Sequence, residues 1–326
     1  MTSVRRDGAR PVSTNHNKTT TQTKKTTRMK KILTLTIALF AFAKVFAQDD
    51  ALFTQFYANR LHFNPAATGA SDLFSASLTY RAQWAADRSL SRQERPTYMM
   101  FNAAQFFADA RSGVGLTVFN SRHNVQNDLR IKASYAYHLQ VDEEAWLAMG
   151  ISLGILSRGI RDGFTVEGQL INRVNTMSDL GLGVEFYTPE ITVGLSSRYV
   201  PLIVGDRVER YHVHFYLFGA YHWSIDREWM IIPSVMLRNS SVVTTFDAAV
   251  RVSYLNMFQI GTAVRRDAVA LLFGISWEGF SLGYSFDIHT GHIRGTRPSH
   301  EIVFSYRTQL LRNTGDTRLQ RMGSGF

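Results

Sequence analysis

Histidine has the widest chemical repertoire of the side chains in this sequence, and the chain contains ten histidines. The closest pairs are His212 with His214 and His289 with His292, and neither pair has carboxylates nearby at the spacing of metal ligands. Clusters read from sequence predict metal sites only weakly. We therefore expect these histidines to form hydrogen bonds, and we predict neither a metal site nor a cofactor.

The common signatures of enzyme sites are also missing from the sequence. The chain has no cysteine, which excludes disulfides, thiolate metal ligands and a cysteine nucleophile. Gly-x-Gly occurs at Gly113 to Gly115 and at Gly181 to Gly183, but no helical pattern follows, so neither repeat is a phosphate-binding loop. A serine or aspartate nucleophile with a histidine on a neighbouring strand is not visible in sequence order. The sequence predicts a protein that is not an enzyme.

Charged residues instead alternate with apolar ones. In "TTFDAAVRVSYL", Phe246 and Val250 fall on one face, whereas Asp247 and Arg251 fall on the other. A period of two residues indicates a β-strand with one apolar and one polar face. Similar segments, bounded by turn residues, follow one another from Ser71 onwards, and no long helical period interrupts them.

The pattern predicts an all-β fold with about fourteen strands, an even number that is typical of single-chain outer-membrane barrels. Each strand is about ten residues long, close to what a tilted strand needs to cross a bilayer, whereas strands of soluble proteins are shorter. The predicted strands lie near 71–82, 97–106, 113–121, 128–139, 144–155, 178–188, 190–200, 210–223, 228–238, 243–255, 257–265, 267–276, 278–288 and 299–310.

The lengths of the connections support a transmembrane antiparallel β-barrel. In such barrels the short turns lie in the periplasm and the long loops lie outside. The long gaps, at 83–96, 156–177, 201–209 and 289–298, all follow odd-numbered strands, whereas the connections after even-numbered strands are tight. This sorting predicts that the four gaps are extracellular loops.

The barrel prediction assigns the polar face of each strand to the lumen. There the charges either pair and rigidify the wall or form a polar conduit or docking surface. The predicted lumen-facing charges are Arg130, Lys132, Asp247, Arg251, Arg265 and Arg307, together with Arg81 and Asp287. The aromatic residues near strand ends are expected in the interfacial girdles of a membrane barrel: Trp84, Tyr98, Trp146, Tyr187, Trp223, Trp229 and Trp277.

The first 47 residues are predicted to be absent from the working protein. The stretch from Arg28 has a basic start, an apolar run and small residues before Gln48, which indicates a signal peptide at 29–47 cleaved near Ala47. Residues 1–28 precede Met29 and are interpreted as a non-native extension. Residues 1–47 hold 10 of the 36 Lys and Arg residues but one of the 26 Asp and Glu residues, so 26 basic and 25 acidic residues remain. This near-neutral balance predicts no nucleic-acid partner.

The remaining chain is predicted to comprise an N-terminal periplasmic or lumenal segment at 48–70, the barrel at 71–310 and a tail at 311–326. Leu52, Phe56, Tyr57 and Leu61 recur at helical intervals before Asn64 and Pro65. This spacing favours a short amphipathic segment against the barrel mouth or lumen, with an extended arm as the alternative.

Three motifs give the chain a resemblance to a known family. They are "FTQFYANRLHFNPAATG" at 53–69, "YRAQW" with a downstream "PTY" at 80–84 and 96–98, and "GYSFD" with "SHEI" at 283–287 and 299–302. The chain resembles the PorP/SprF family of type IX secretion system outer-membrane proteins of the Bacteroidota. The motif residues are Asn64, Pro65, Gly69, Arg81, Gln83, Trp84, Pro96, Thr97, Asp287, Ser299, His300 and Glu301.

The resemblance implies a barrel in the outer membrane, surrounded by its lipid. It further implies that the protein works beside other type IX secretion components and helps a specific large secreted or surface protein, such as an adhesin, to be exported or attached. Two alternatives from other classes stay open at this point: a channel for small solutes, and a soluble exported β-sandwich that binds carbohydrate or protein.

Overall fold

The computed structural model describes residues 52–71, 73–85, 94–124, 126–160, 165–166, 169–170, 174–199, 213–240, 243–290 and 297–310. The predicted extension, signal peptide and C-terminal tail lie outside these residues.

Fourteen antiparallel strands form a closed barrel, which confirms the predicted fold class. Each strand pairs with its neighbours in chain order; the first strand pairs with the last, and the eighth pairs with the ninth. A two-residue strand, Trp223–Ser224, pairs with the ninth strand outside this ring, and a small hairpin joins Thr165–Val166 to Gln169–Leu170. The barrel strands are β1 Phe74–Ala82, β2 Thr97–Phe107, β3 Ser112–His123, β4 Gln126–Asp142, β5 Ala145–Ile160, β6 Val174–Tyr187, β7 Ile191–Arg198, β8 His214–Tyr221, β9 Trp229–Asn239, β10 Thr244–Tyr254, β11 Phe258–Arg265, β12 Ala268–Trp277, β13 Phe280–His289 and β14 Ser299–Thr308.

The two faces of each strand follow the alternation in the sequence. On β10, Phe246 and Val250 are 40% and 45% exposed, whereas Asp247 and Arg251 are almost fully buried. The outward face of nearly every strand carries exposed Leu, Ile, Val or Phe side chains. An apolar outer surface around a polar interior is the reverse of a soluble protein and matches a barrel that faces lipid.

The connections sort by side as the sequence predicts. The connections after even-numbered strands are turns of at most seven residues, and we call this side the turn end. The long connections all lie at the opposite side, the loop end, together with three tight ones at 124–125, 240–243 and 266–267.

The predicted loop at 156–177 was too long. Strand β5 continues to Ile160 and strand β6 begins already at Val174, because the two strands still pair there, with Arg158 opposite Asn175. The side chain of Arg158 also lies 3.2 Å from Asp128 on β4. Strand β7 in turn ends at Arg198, before the predicted end, because Tyr199 adopts a left-handed conformation with φ of 58°.

Residues 52–71, which we call the lumen segment, fold inside the barrel. The segment forms a 3-10 helix at Phe56–Asn59, one turn of α-helix at Arg60–Phe63 and a second 3-10 turn at Pro65–Ala67. Phe53, Phe56 and Phe63 are at most 1% exposed. The described segment thus consists of short helices and turns and is not an extended arm.

Face alternation overrides residue type for two of the aromatic residues expected at the membrane interfaces. Trp223, Trp229 and Trp277 are 43 to 66% exposed near the turn end, as expected for a girdle. Trp146 and Tyr187, however, are 4% and 1% exposed because they fall on the inward face. Their assignment to a girdle was wrong: they pack with Ala66 of the lumen segment and Ala148 in a small apolar cluster.

Candidate functional site in the barrel lumen

A cluster of buried charges holds the start of the lumen segment near the loop end. Arg81 on β1 lies 2.6 Å from Asp287 on β13 and 3.1 Å from Glu301 on β14, and Arg265 on β11 lies 2.5 Å from the same Asp287 oxygen. We call these four residues the Asp287 cluster. Two arginines face two carboxylates, so the cluster is neutral overall, as a buried set of charges requires.

The lumen segment completes the Asp287 cluster. The backbone N–H groups of Thr54 and Gln55 donate to the two Glu301 oxygens, each over 2.8 Å. The Thr54 hydroxyl donates to Asp287 and accepts from Arg81 over 2.8 Å and from Arg265. Arg265 also donates to the carbonyl oxygen of Leu52 over 2.9 Å. Four strands thus fix one short stretch of backbone through charge-assisted hydrogen bonds.

A second group of charges holds the middle of the segment. Lys132 on β4 donates to the carbonyl oxygen of His62 over 2.9 Å, and the guanidinium of Arg198 on β7 lies 3.2 Å from the His62 ring. Arg130 on β4 pairs with Asp179 on β6 at 3.0 Å and also contacts Tyr199.

Three further ion pairs or ring contacts join the segment to the wall. Arg60 pairs with Glu185 on β6. The Arg251 guanidinium on β10 lies 3.6 Å from the centroid of the Tyr57 ring, a cation–π contact. Arg238 on β9 pairs with Asp247 at 2.7 Å and lies over the ring of Phe63.

An aromatic core occupies the space between these charges. Phe53, Phe56, Tyr57 and Phe63 of the lumen segment pack against inward residues of the strands, all at most 7% exposed. The strand residues in this core are Met100, Phe119, Tyr216, Phe218, Met236, Ala249, Ala263, Ala270 and Leu272. The lumen therefore has an apolar centre built by the segment and the wall together, and polar contacts surround it.

Four glycines make room for the second half of the segment; we call Gly113, Gly150, Gly183 and Gly194 the glycine seat. A Cβ at Gly150 would overlap the backbone of Ala66, and one at Gly183 or Gly194 would overlap the Asn64 side chain. A Cβ at Gly113 would overlap Thr68 and Gly69. These glycines allow the segment backbone to lie directly on the sheet.

The "NPAATG" motif fits this seat. The Asn64 side chain accepts from the Ala66 N–H at 3.0 Å and donates to the carbonyl oxygen of Val184 at 3.3 Å, and Pro65 starts the final 3-10 turn. Gly69 has φ of +72° and lies so close to Gly113 that a side chain would have no space. His138 caps the motif, with its Nε2 2.8 Å from the carbonyl oxygen of Thr68.

The remaining motif residues form contacts at the loop end. Gln83 donates its N–H to the carbonyl oxygen of Pro96 at 2.9 Å, and Trp84 donates its N–H to the Ser299 hydroxyl at 3.2 Å. Thr97 begins β2 opposite Ala82, and His300 faces outwards, 2.7 Å from the Tyr284 hydroxyl. The motifs therefore divide into residues that hold the segment and residues that join β1 to its neighbours.

The predicted lumen charges all fall on inward positions. Arg130, Lys132, Asp247, Arg251 and Arg265 are at most 8% exposed. Arg307 is half-buried and lines a cavity at the turn end. Most of these charges contact the lumen segment, rather than only one another across an empty lumen.

Sequence reasoning missed several residues of the same site, although the alternation pattern could have found those on strands. Asp179, Glu185, Arg198 and Arg238 occupy inward positions on β6, β7 and β9. Thr54, Arg60 and His62 of the segment carried no such signal.

The histidine pairs do not form a metal site among the described residues. No group of three or more His, Cys, Asp or Glu side chains that could hold a metal ion occurs there. His214 lies 3.3 Å from the Tyr216 hydroxyl, and His289 lies 2.8 Å from the Ser299 hydroxyl. His212 and His292 lie outside the described residues. The contacts shown in the lumen hold a segment of the chain itself.

Solved barrels resemble this fold. The Ralstonia pickettii toluene transporter TbuX is similar over 76% of this chain and 92% of that one, with 11% identity and a TM-score of 0.51. The monoaromatic hydrocarbon channel CymD is similar over 81% of this chain and 95% of that one, with 12% identity and a TM-score of 0.49. The P. putida toluene transporter TodX is similar over 78% of this chain and 94% of that one, with 13% identity and a TM-score of 0.44. At these identities the likeness concerns the fold alone. A comparison with curated proteins gave no match.

Fold and site together define an outer-membrane β-barrel whose lumen holds its own N-terminal segment. The model of the family described as "Type IX secretion system membrane protein PorP/SprF" matches residues 45–306. The chain belongs to the PorP/SprF family of type IX secretion system membrane proteins.

The barrel lies in the outer membrane, as family and fold both indicate. Outer-membrane barrels have their short turns in the periplasm and their long loops outside the cell. The turn end is therefore the periplasmic end, and the loop end is the extracellular end. Among the described residues, no helix is long and apolar enough to cross a membrane. Leu52 contacts Arg265 at the loop end, and Ser71 lies just before β1 at the turn end. The lumen segment therefore runs from the extracellular end to the periplasmic end.

The Asp287 cluster predicts a large loss of stability when its shared carboxylate is neutralised. Asp287→Asn leaves Arg81 and Arg265 buried with one carboxylate between them, and breaking a buried ion pair costs about 3–5 kcal/mol. We expect the free energy of unfolding, measured by urea titration of the full chain in micelles, to fall by about this amount. Asp267→Asn, an exposed change at the same end of the barrel, should alter it by less than about 0.5 kcal/mol. Equal effects of the two changes would contradict the role of the cluster.

The glycine seat makes a steric prediction with a matched control in the same strand. Gly150→Ala should destabilise the protein by about 1–3 kcal/mol, because the added methyl group overlaps Ala66. Gly159→Ala should be neutral or slightly stabilising, since its nearest neighbour would lie 3.6 Å away. Limited proteolysis of the purified protein should cut the lumen segment faster in Gly150→Ala only. Equal protection in both variants would mean that the seat does not position the segment.

The direction of the lumen segment can be tested by labelling, because the chain has no cysteine of its own. On intact cells, a membrane-impermeant maleimide should modify Leu52→Cys but not Ser71→Cys. Both residues are half-buried, so access depends on the end of the barrel from which the reagent arrives. Both variants should react once the cells are permeabilised and the protein is denatured. Labelling of Ser71→Cys alone on intact cells would reverse the orientation.

Proposed function

We propose that this protein serves type IX secretion as a recognition component: it assists the export or surface attachment of one secreted protein or a small set, such as a large adhesin. It does so by binding, without a chemical step. Membership of the PorP/SprF family supports the secretion role; client specificity is the proposed part.

The observation that carries the proposal is the filled lumen. Phe53, Phe56 and Phe63 sit in the centre of the barrel at no more than 1% exposure, and the Asp287 cluster ties the chain beside them to four strands. A lumen filled by this many buried contacts does not form a wide aqueous path. The protein therefore meets other proteins through its surfaces. The filled lumen therefore counts against the alternative of a channel for small solutes.

The loop end is the side that fits a recognition role. A specific protein contact usually buries about 1,200 Å² or more in total, and turns of a few residues offer little area. The long connections lie at the loop end, where they would meet a client outside the cell.

Arginine is favoured at the centres of protein interfaces, and the arginines in the sequences predicted as loops include Arg92, Arg95, Arg158, Arg161, Arg294 and Arg297. Arg297 is exposed there, whereas Arg95 donates to the carbonyl oxygen of Ala85 at 2.9 Å, and Arg158 lies within β5. Arg92, Arg161 and Arg294 lie outside the described residues. Of these arginines, Arg297 is both described by the structure and exposed, so we take it as the candidate for a client contact.

Deletion of the gene should remove one client, or a small set, from the cell surface. Other outer-membrane proteins and general type IX export should continue, because a recognition component is not part of the common path. Quantitative surface proteomics of the deletion strain would measure both, with the secreted fraction analysed in parallel.

Complementation with the wild-type gene is the control, and it should restore the missing client. An unchanged surface in the deletion strain would contradict a recognition role, and loss of all type IX export would contradict client specificity.

A further inference from the structure

An open groove crosses the lipid-facing surface of the barrel on β4 to β8, and we call it the outer groove. It encloses about 560 Å³ and is lined chiefly by outward apolar side chains. Tyr135 on β4 and Phe215 on β8 lie at its two ends, with Ile151, Leu182 and Leu195 between them. The groove is continuous with the apolar outer surface of the barrel, so its occupant comes from the bilayer.

The register of the strands sets the direction and the length of the groove. One row of paired residues runs along it from β4 to β8: Tyr135, Ile151, Leu182, Ser197 and Phe215. Neighbouring strands lie about 4.8 Å apart, so the row is about 19 Å long. The hydrocarbon core of a bilayer is about 30 Å thick, so a chain in one leaflet spans about 15 Å. The groove therefore has the length of one tilted acyl chain.

The groove starts at the extracellular side and descends into the membrane. Ser197 is the last residue but one of β7 and Phe215 is the second residue of β8, and both positions lie at the loop end. Tyr135 pairs with Val114, which lies two residues after the turn-end start of β3. A chain that follows the row from Ser197 towards Tyr135 therefore enters the groove from the outer leaflet.

Ser197 supplies both a gap and a hydrogen-bond donor at the extracellular end of the groove. It is the small residue between Leu182 and Phe215, which are 45% and 50% exposed. Its side chain lines the groove and is half-buried, so the hydroxyl can donate to a ligand there. Because the surrounding lipid is as apolar as the groove, packing and hydrogen bonds decide what binds. An acyl chain that carries an ester carbonyl oxygen at its upper end satisfies both requirements.

The glycine seat forms the floor of the groove. Gly150 and Gly183 line the groove from outside, whereas on the lumen side the same two residues leave room for Ala66 and Asn64. Neither glycine has a side chain, so the wall between the lumen segment and the groove is one backbone thick here. A ligand in the groove therefore packs against the outside of the backbone that holds the segment on its inside.

We propose that the outer groove binds one ester-linked acyl chain of an outer-leaflet lipid, with the ester carbonyl oxygen at Ser197 and the chain directed towards Tyr135. The bound lipid stabilises the glycine seat, because it binds the folded wall and not the opened one. This inference does not depend on the client role proposed above, since it concerns the lipid-facing surface.

The test is a lipid titration of the full chain in micelles, read by native mass spectrometry. The probe is dipalmitoyl phosphatidylethanolamine. Its dihexadecyl ether analogue, which keeps the chains and the headgroup but lacks the ester carbonyl groups, is the matched control ligand. We expect one retained ester lipid and about fivefold weaker binding of the ether lipid, since a neutral hydrogen bond is lost. The dihexanoyl lipid, which keeps the carbonyl groups on short chains, should not be retained.

Variants locate the binding in the groove. Ser197→Ala removes the hydroxyl and leaves the groove open, so it should weaken the ester lipid by about fivefold and leave the ether lipid unchanged. Ser197→Leu fills the groove and should weaken both lipids by about tenfold or more, because the chain loses its contacts. Ala248→Leu is the matched control: it introduces the same side chain at an outward position of β10, outside the groove, and should change neither affinity.

The effect on the glycine seat has its own measurement. Addition of the ester lipid should slow proteolysis of the lumen segment in the wild type and in Ala248→Leu, but not in Ser197→Leu. All variants should keep the heat-modifiable gel mobility of a folded barrel, because the substituted side chains face lipid. Equal cutting with and without lipid in the wild type would contradict the action on the seat.

Four outcomes would overturn the lipid site. Two are equal affinity of the wild type and Ser197→Leu for the ester lipid, and equal affinity of the wild type for the ester and ether lipids. A disulfide-linked dimer of Leu195→Cys in native membranes would assign the groove to a second copy of the chain. A protein that co-purifies with the wild type and is lost in Ser197→Leu would assign the groove to a protein partner.

Discussion

The structure depends on the neutralisation of charges inside a barrel that is surrounded by lipid. Arg81, Arg265, Asp287 and Glu301 come from four strands and are at most 8% exposed. Isolated, each charge would cost several kcal/mol to bury. Together with the N–H groups of Thr54 and Gln55 they form a connected set of ion pairs and hydrogen bonds. The lumen segment is thus a component of this electrostatic balance and not an appendage.

The segment and the wall are also matched in shape, and this match links the order of assembly to the fold. The glycine seat admits the backbone of residues 64–69 only where the wall has no side chains. The segment precedes β1 in the chain, whereas its partners lie on strands from β1 to β14. The seat lies on β3 to β7, whereas the Asp287 cluster joins β1 to β13 and β14 and is therefore complete only when the first and last strands pair.

Sequence reasoning predicted the barrel well because its main signal is local. A period of two residues sets both the strand and its face, so the strand number and the positions of Asp247 and Arg251 follow from neighbouring residues. The same rule explains the error at Trp146 and Tyr187. Both residues fall on the inward face of their strands, and this position determines their environment although their residue types are common at membrane interfaces. Extended pairing of β5 and β6 was missed because hairpin length is decided by partners such as Arg158 and Asn175, which lie on different strands.

The interior of the barrel was predictable only in part. Inward charges could be named, but their partners could not, because the contact between Thr54 and Asp287 spans 233 residues of sequence. The role of Gly113 and Gly183 was not predicted, since the atoms that need their space belong to residues 64–69 and are far away in the chain. The signal for the segment was a helical spacing of a few apolar residues, which does not specify which surface the helix covers.

A filled lumen changes what the inward face of a barrel can be used for. In an open channel, inward charges face water and select solutes, whereas here Arg130, Lys132 and Arg251 face aromatic rings and backbone carbonyl groups of the same chain. The segment extends from the extracellular end to the periplasmic end and contacts most strands on its way. The two ends of the barrel are therefore joined by one continuous run of packed and hydrogen-bonded contacts along the lumen.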